Sequence, residues 1–193
     1  MRVTMDPYSH VRILFGMILA LALGNILRGL ASIVQHPAKY KLVYWVHLTW
    51  ALFLFLYLIH FWWWEFSLHS LVWTFPLYFF IAVYTVLLYF LSVLLFPDRI
   101  TEYEGFESYF YARRDWIFGM FAGVFVADIV DTWIKGSAYL SHLGLAYYVR
   151  SASLIVLSLI GMRVKNRLFH AVFALLAVVI EIAMILFRYS RIA

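Results

Sequence analysis

The sequence contains no cysteine, and charged residues make up only 13% of its 193 positions. The lack of cysteine excludes disulfides, thiolate nucleophiles, iron–sulfur clusters and cysteine zinc sites. The chain also lacks an HExxH, GxSxG, phosphate-loop or DxD-type motif, so an enzyme has no support beyond carboxylates in apolar segments. What is present is apolar: 66% of residues are hydrophobic and 21% aromatic, whereas soluble domains are about half apolar and a quarter charged. This composition predicts a polytopic membrane protein, and the missing motifs favour a protein that is not an enzyme without deciding the question.

Long apolar runs, separated by short polar breaks, predict an all-α fold with six transmembrane helices. Each run is close to the ~20 residues that a helix needs to cross a bilayer. The whole chain, 1–193, then forms a single transmembrane domain. The predicted spans cover residues 11–34, 43–64, 71–96, 115–135, 144–163 and 167–188.

Two segments, Phe15–Arg28 and Phe118–Asp131, carry the same pattern. Both begin Phe-Gly-Met, place a small residue at every fourth position and end in a charge. Four-residue spacing lines up one face of a helix, and a stripe of small residues lets another helix approach closely in lipid. We therefore predict that these stripes form a contact between helices 1 and 4. The predicted packing residues are Gly16, Ala20, Gly24, Gly119, Gly123 and Ala127.

The similarity between the halves extends beyond the stripes. At the same offset of 103 residues, Tyr44 matches Tyr147 and Leu54 matches Leu157 without a gap. Because three spans per half is an odd number, the second half must enter the membrane from the opposite face. This predicts a 3+3 inverted-topology repeat, an arrangement of transporters whose sites lie near the midplane. The predicted parts are repeat one at 11–96, an interfacial linker at 97–114 and repeat two at 115–188.

Polar side chains inside the predicted spans are the candidate site, because such groups are costly in lipid. Asn25 and Asp128 occupy matching positions in the two halves and are predicted to lie near the midplane. Asp131 can pair with Arg150 on the next helix, or with Lys135 one helical turn further on. The charges either form buried pairs that fix helix packing or mark a path for protons or cations. The candidate polar core comprises Asn25, Arg28, Asp128, Asp131, Arg150 and Glu181.

Histidines suggest a third, weaker possibility. His47 and His60 lie thirteen residues apart on helix 2, a spacing that membrane cytochromes use for two stacked haems. Two haems need a matching histidine pair on another helix, and helix 6 offers only His170, so one haem held by His47 and His170 is a weak candidate. A metal site formed by His36, His47 and His170 is weaker still. We expect interfacial or hydrogen-bonding histidines and no cofactor.

The connections between spans bear on orientation. The longest, Asp98 to Arg114, has aromatic and basic residues at helical spacing, which predicts a short amphipathic helix on the membrane surface. Loops 1, 3 and 5 share one face and carry most of the basic residues, so the positive-inside rule predicts that this face is cytoplasmic and both termini are outside. The first face holds Lys39, Lys41, Arg99, Arg113, Arg114, Arg163, Lys165 and Arg167, and the second holds Arg2, Arg12, Lys135, Arg188 and Arg191.

Aromatic residues, histidine, proline and acids recur in five short stretches along the chain: Tyr44–Trp50, Phe61–Trp63, Val72–Phe75, Leu94–Asp98 and Asp128–Gly136. In these stretches the chain resembles a group of bacterial six-helix integral membrane proteins with no known activity. The resemblance implies a multi-pass protein of the bacterial inner (cytoplasmic) membrane. It implies no activity.

Together these features predict a small channel or transporter for protons or another small cation, with carboxylates near the midplane. The alternative is a non-transporting sensor or partner subunit whose buried charges are structural. A haem or quinone redox protein is a third hypothesis. The expected partners are the lipid bilayer and a small cation, and the small-residue stripes also allow a homo-oligomer. The net charge of +5 fits an anionic lipid surface, so we expect no nucleic acid partner.

Overall fold

The computed structural model describes residues 7–36, 43–97 and 99–187. These residues form six long helices, each apolar enough to cross a membrane. The prediction of an all-α protein with six candidate spans is confirmed. Predicted loop and terminal residues Arg2, Lys39, Lys41, Asp98, Arg188 and Arg191 lie outside the described residues. The helices are α1 (Pro7–Gln35), α2 (Trp45–Trp64), α3 (Phe75–Leu95), α4 (Phe106–Ile134), α5 (Ser137–Arg163) and α6 (Arg167–Phe187).

The fourth helix is longer than its predicted span. It begins at Phe106, directly after Gly105, whose φ of 143° suits glycine. The stretch in which we predicted a separate surface helix is therefore the first part of α4. Its aromatic side chains Tyr109 and Phe110 are buried against other helices. This segment buries its apolar side in protein, which a helix lying on the membrane surface would not do.

The second helix lies at the centre of the bundle and contacts α1, α3, α4 and α6. Around it, α1 packs mainly along α3, and α4 packs mainly along α5 and also against α3. An inverted repeat would relate α1 to α4 and α2 to α5, so α4 should pack on its neighbours as α1 does. In the described residues, α1 instead packs mainly on α3, two helices along the chain, whereas α4 packs mainly on α5, the next helix. The inverted repeat is not shown by the structure and stays a prediction.

The two small-residue stripes do not meet. On α1, Ala20 and Gly24 lie on the exposed side, and a Cβ added at Gly24 would have no neighbour within 4 Å among the described residues. A Cβ at Gly16 would lie 3.1 Å from the ring of Trp62 on α2. On α4, Gly119 faces Met162 of α5. The predicted contact between helices 1 and 4 is therefore replaced by separate contacts with α2 and α5.

The fifth helix contains one break. Gly144 has φ 65° and ψ −166°, which is not helical, and it separates residues 137–143 from residues 145–163. A residue with a side chain rarely adopts this conformation. The longer segment after the break has enough residues to cross a bilayer, and it carries Arg150 less than two turns from its start.

Candidate functional site: a buried charge network

Charged side chains from four helices meet at one end of the bundle. We call the group of His60, Asp128, Arg150 and Glu181 the arginine cluster. Each member is at most 4% exposed. His60, Asp128 and Glu181 lie within about two turns of the ends of α2, α4 and α6. His60 and Asp128 therefore lie closer to the ends of their helices than to the centres, whereas Glu181 lies nearer the centre of α6.

The guanidinium of Arg150 holds the cluster together. Its Nη1 donates to Asp128 Oδ2 at 3.0 Å, and its Nη2 donates to Glu181 Oε2 at 2.8 Å. The other oxygen of Glu181 lies 2.6 Å from His60 Nδ1. The hydroxyl of Tyr147 donates to Asp128 Oδ2 at 3.2 Å. Charge-assisted hydrogen bonds of this kind are the strong ones, and here they join α2, α4, α5 and α6.

A second group lies beside the first, at the end of α4. We call Glu65, Asp131 and Lys135 the lysine cluster. Lys135 Nζ donates to Glu65 Oε1 at 2.8 Å and to Asp131 Oδ2 at 2.5 Å. Glu65 is 6% exposed and Asp131 is fully buried. Burial lowers the pKa of the Lys135 ammonium, but the carboxylates of Asp131 and Glu65 raise it more, so the pKa lies above its usual value. Lys135 is therefore a permanent cation.

The local sequence explains why the two clusters are adjacent. Asp128, Asp131 and Lys135 follow one another at spacings of three and four residues, which places them on one side of α4. Lys135 ends the helix, where a positive charge is favourable next to the last carbonyls. Gly136, with φ 96°, then turns the chain into α5. One helix end thus supplies both clusters.

The clusters contain more acids than permanent cations. Within ion-pair distance in the described part of the chain, their four carboxyl groups share the guanidinium of Arg150 and the ammonium of Lys135, and His60 pairs with Glu181. An uncompensated buried charge costs several kcal/mol. The excess negative charge is therefore balanced most cheaply by bound protons.

The structure brings together three of the six predicted core residues directly: Asp128, Arg150 and Glu181. Asp131 lies beside them, and of its two predicted partners it takes Lys135 rather than Arg150. The pairing follows from spacing, because Lys135 lies one turn away on the same helix.

Asn25 and Arg28 belong to neither cluster. Asn25 donates from Nδ2 to the carbonyl of Ser92 on α3 at 2.8 Å. Arg28 Nη2 donates to Asn25 Oδ1 at 2.6 Å, and Arg28 itself is exposed. These two residues fix α1 against α3. The structure does not place Asn25 beside Asp128 as the polar partner that we expected.

Sequence reasoning left Glu65, Tyr147 and His60 out of the candidate polar core. Glu65 had a usable signal, because it directly follows the run Phe61–Trp64. A lone acid in so apolar a place needs a buried partner. Tyr147 had no such sequence signal, since tyrosine is common throughout this chain.

The haem candidates lie at the opposite end of the bundle. His47 Nε2 is 2.5 Å from the carbonyl oxygen of Leu95, and His170 Nε2 is 2.8 Å from that of Val164. The ring of Phe110 contacts both imidazoles, with centroid distances of 6.1 Å and 5.2 Å. The two Nε2 atoms are thus directed at helix carbonyls. In the part of the chain that the structure describes, no group of three histidines or acids is arranged to hold a metal ion.

A layer of rings separates the arginine cluster from the end that holds His47 and His170. Its members contact one another edge-to-face, tilted or stacked, for example Trp50 and Phe121 with centroids 4.6 Å apart. All are buried. The layer comprises Trp50, Phe53, Phe118, Phe121, Phe125 and Phe173.

On the side of the charge clusters away from the ring layer, a small cavity of about 70 Å³ reaches the lysine cluster at Glu65. It lies between the first turns of α1 and the end of α2, and Glu65, Arg12 and Trp62 are among its lining residues. This volume has room for a few water molecules. The charge network is therefore closest to water at the end where α1 begins.

Comparisons with known proteins return no match: no family model, curated sequence or solved structure is similar to this chain. The resemblance to bacterial six-helix membrane proteins stays a prediction.

Proposed function

We propose that the protein is a small membrane channel or transporter for protons, in which Asp128 is the central proton-carrying carboxyl group and Arg150 and Glu181 control its charge. One observation carries the proposal. Four buried carboxyl groups share two permanent cations inside an apolar helix bundle.

This imbalance supports proton binding within the membrane. A buried excess of negative charge is costly, and binding a proton removes it without requiring space. The imidazole of His60, 2.6 Å from Glu181, offers one further position for a proton. Titratable groups linked by hydrogen bonds across a bundle are typical of proton relays.

Protons fit this site better than larger cations. The guanidinium of Arg150 already lies between Asp128 and Glu181, and the ammonium of Lys135 lies between Glu65 and Asp131. These are the positions at which a bound metal cation would be expected. The described residues also lack a cluster suited to a metal ion.

The proposed route has one accessible end and one closed end. It runs from the cavity beside Glu65, through Asp131 and Asp128, to Arg150 and Glu181. Beyond these groups the ring layer blocks further passage, so transport requires that layer to open. By the positive-inside rule, the cavity side is the outer face of the bacterial inner membrane.

Proton flux into liposomes containing the purified protein tests the proposal. With a pH gradient and an internal pH-sensitive dye, we expect flux well above that of protein-free liposomes, and no matching flux under a sodium or potassium gradient. Asp128→Asn should lower proton flux at least tenfold, because the amide can still accept a hydrogen bond from Arg150 but cannot exchange a proton.

Asp115→Asn is the matched control, since Asp115 lies on the same helix but is about half exposed, beside Arg114. It should leave flux unchanged. If Asp128→Asn transports as well as the wild type, Asp128 is not the carrier. A cation gradient that drives current at constant pH would instead point to another small cation.

The second candidate is a non-transporting sensor or partner subunit. It is favoured by the deep burial and close pairing of Asp128, Arg150 and Glu181, since ion pairs of this kind also fix helix packing. Wild-type liposomes with no flux above background, combined with a large loss of stability in Arg150 variants, would select this alternative.

A further inference from the structure

We infer that Glu65 and Asp131 share a single proton, and that Glu65 is the residue at which this proton exchanges with water in the cavity beside α1. The exchange role rests on the proposed proton transport, whereas the shared proton stands without it.

The shared proton follows from two oxygens that have no donor. Lys135 binds one oxygen of each carboxyl group, at 2.8 Å for Glu65 Oε1 and 2.5 Å for Asp131 Oδ2. The remaining oxygens, Glu65 Oε2 and Asp131 Oδ1, are buried and receive no hydrogen bond from a donor among the described residues. A buried acceptor left without a donor is costly.

One proton satisfies both oxygens. The ammonium of Lys135, which donates to both, holds the two carboxyl groups side by side. Two ionised carboxylates can only accept hydrogen bonds, but a protonated carboxyl group donates one. Like-charged carboxylates sharing a site also hold one proton between them for electrostatic reasons.

The charges around Glu65 agree with this assignment. From the end of α4 it faces Asp131 and Lys135, and from α1 it faces Tyr8 and Arg12 across the cavity. Arg12 is exposed, so water screens its charge. With one proton, the lysine cluster has no net charge, because the remaining carboxylate balances the ammonium of Lys135.

The location of the two acids sets the direction of exchange. Glu65 lines the cavity of about 70 Å³, whereas Asp131 is fully buried. A proton arriving from the cavity therefore meets Glu65 before it meets Asp131. Asp128 lies one turn before Asp131 on α4, and it connects the pair to the arginine cluster.

Infrared spectroscopy of the purified protein near neutral pH tests the shared proton. A protonated carboxyl group has a C=O stretching band that shifts when H₂O is exchanged for D₂O. We expect Glu65→Gln and Asp131→Asn each to remove the same one-carboxyl component of this band. The double variant should remove no more than either single variant, because only one proton is involved.

Glu107→Gln is the control, since Glu107 pairs with the exposed Arg167 at 2.7 Å and belongs to neither cluster. Its spectrum should match that of the wild type. The inference is overturned if the band is unaffected in either single variant, or if the losses in the double variant add up to two carboxyl groups.

Flux measurements on the same samples separate the two proposals. Glu65→Gln should lower proton flux at least tenfold, and unchanged flux would refute the exchange role. If the wild type has the shared-proton band but no flux, the proposed function fails and the shared proton remains. If the wild type has flux but Glu65→Gln leaves the band intact, the shared proton fails and the proposed function remains.

Discussion

The two ends of the bundle bury polar side chains in different ways. At the end where α1 begins, the arginine and lysine clusters pair acidic side chains with Arg150 and Lys135. At the opposite end, His47 and His170 bind the carbonyls of Leu95 and Val164, at the ends of α3 and α5. Helix ends leave such carbonyls without a partner in the helix. One end therefore depends on mutual charge pairing, and the other on separate local hydrogen bonds.

This difference predicts how each end responds to substitution. Removing one charge leaves its partners buried and uncompensated, so the effect spreads through the cluster. Removing one imidazole leaves a single carbonyl without a donor. The predictions below test this contrast, beginning with the largest expected effect.

Arg150→Met should give the largest loss, about 3–5 kcal/mol of the free energy of unfolding, because Asp128 and Glu181 lose their shared cation. Chemical denaturation in detergent, followed by circular dichroism, measures the loss. The triple variant with Asp128→Asn and Glu181→Gln should recover most of it, since no unpaired charge remains. A triple variant no more stable than Arg150→Met would show that the pairing is not the cause.

Gly29→Ala should cost about 1–3 kcal/mol of the free energy of unfolding through steric overlap at the end that holds His47 and His170. A Cβ at Gly29 would lie 2.2 Å from Cγ of Phe96, so the ring must move. Gly24→Ala is the matched control on the same helix, because no described atom lies within 4 Å of its added Cβ. It should be neutral, or stabilising by up to about 1 kcal/mol from helix propensity. The same denaturation experiment compares them, and equal losses would contradict the packing described here.

His47→Phe should cost about 1–3 kcal/mol, because the carbonyl of Leu95 loses its partner. In the double variant, the losses in the free energy of unfolding from His47→Phe and Arg150→Met should add, since the two sites share no partner. Denaturation of the double variant measures additivity. A coupling well above the experimental error would mean that the two ends are not independent.

Glu107→Gln should have the smallest effect, at most about 1 kcal/mol, because its pair with Arg167 is exposed to water. Raising the salt concentration should weaken the wild-type pair and bring the two proteins closer in stability. A loss comparable to that of Arg150→Met would remove the distinction between surface and buried pairs.

The sequence alone predicted the features that depend on local composition. Six apolar runs of sufficient length specify six helices, and acids within those runs, such as Asp128 and Glu181, are conspicuous because lipid tolerates them poorly. The choice of Lys135 as partner of Asp131 was one of two options that spacing allowed. Only the rotation of α5 about its axis, which sequence does not reveal, directs Arg150 to Asp128.

Features that depend on which helices become neighbours could not be predicted. The stripes containing Gly24 and Gly123 are real patterns in the sequence, yet α1 packs on α3 and α4 on α5, so the stripes never meet. Glu65 was missed because it is distant in sequence from Asp131 and Lys135. The closeness of these groups exists only after α2 and α4 have packed together.

The order of charges along the chain has a consequence for biosynthesis. Asp128 and Arg150 lie on α4 and α5, which only Lys135 and Gly136 separate. These two helices can therefore enter the bilayer as a hairpin whose opposite charges already neutralise each other, before α6 has been synthesised. Glu181 on α6 would then meet a guanidinium already in place. Chains truncated before Arg167 should still insert α5, whereas truncated Asp128→Leu chains should insert it less efficiently, as glycosylation mapping in microsomes would show.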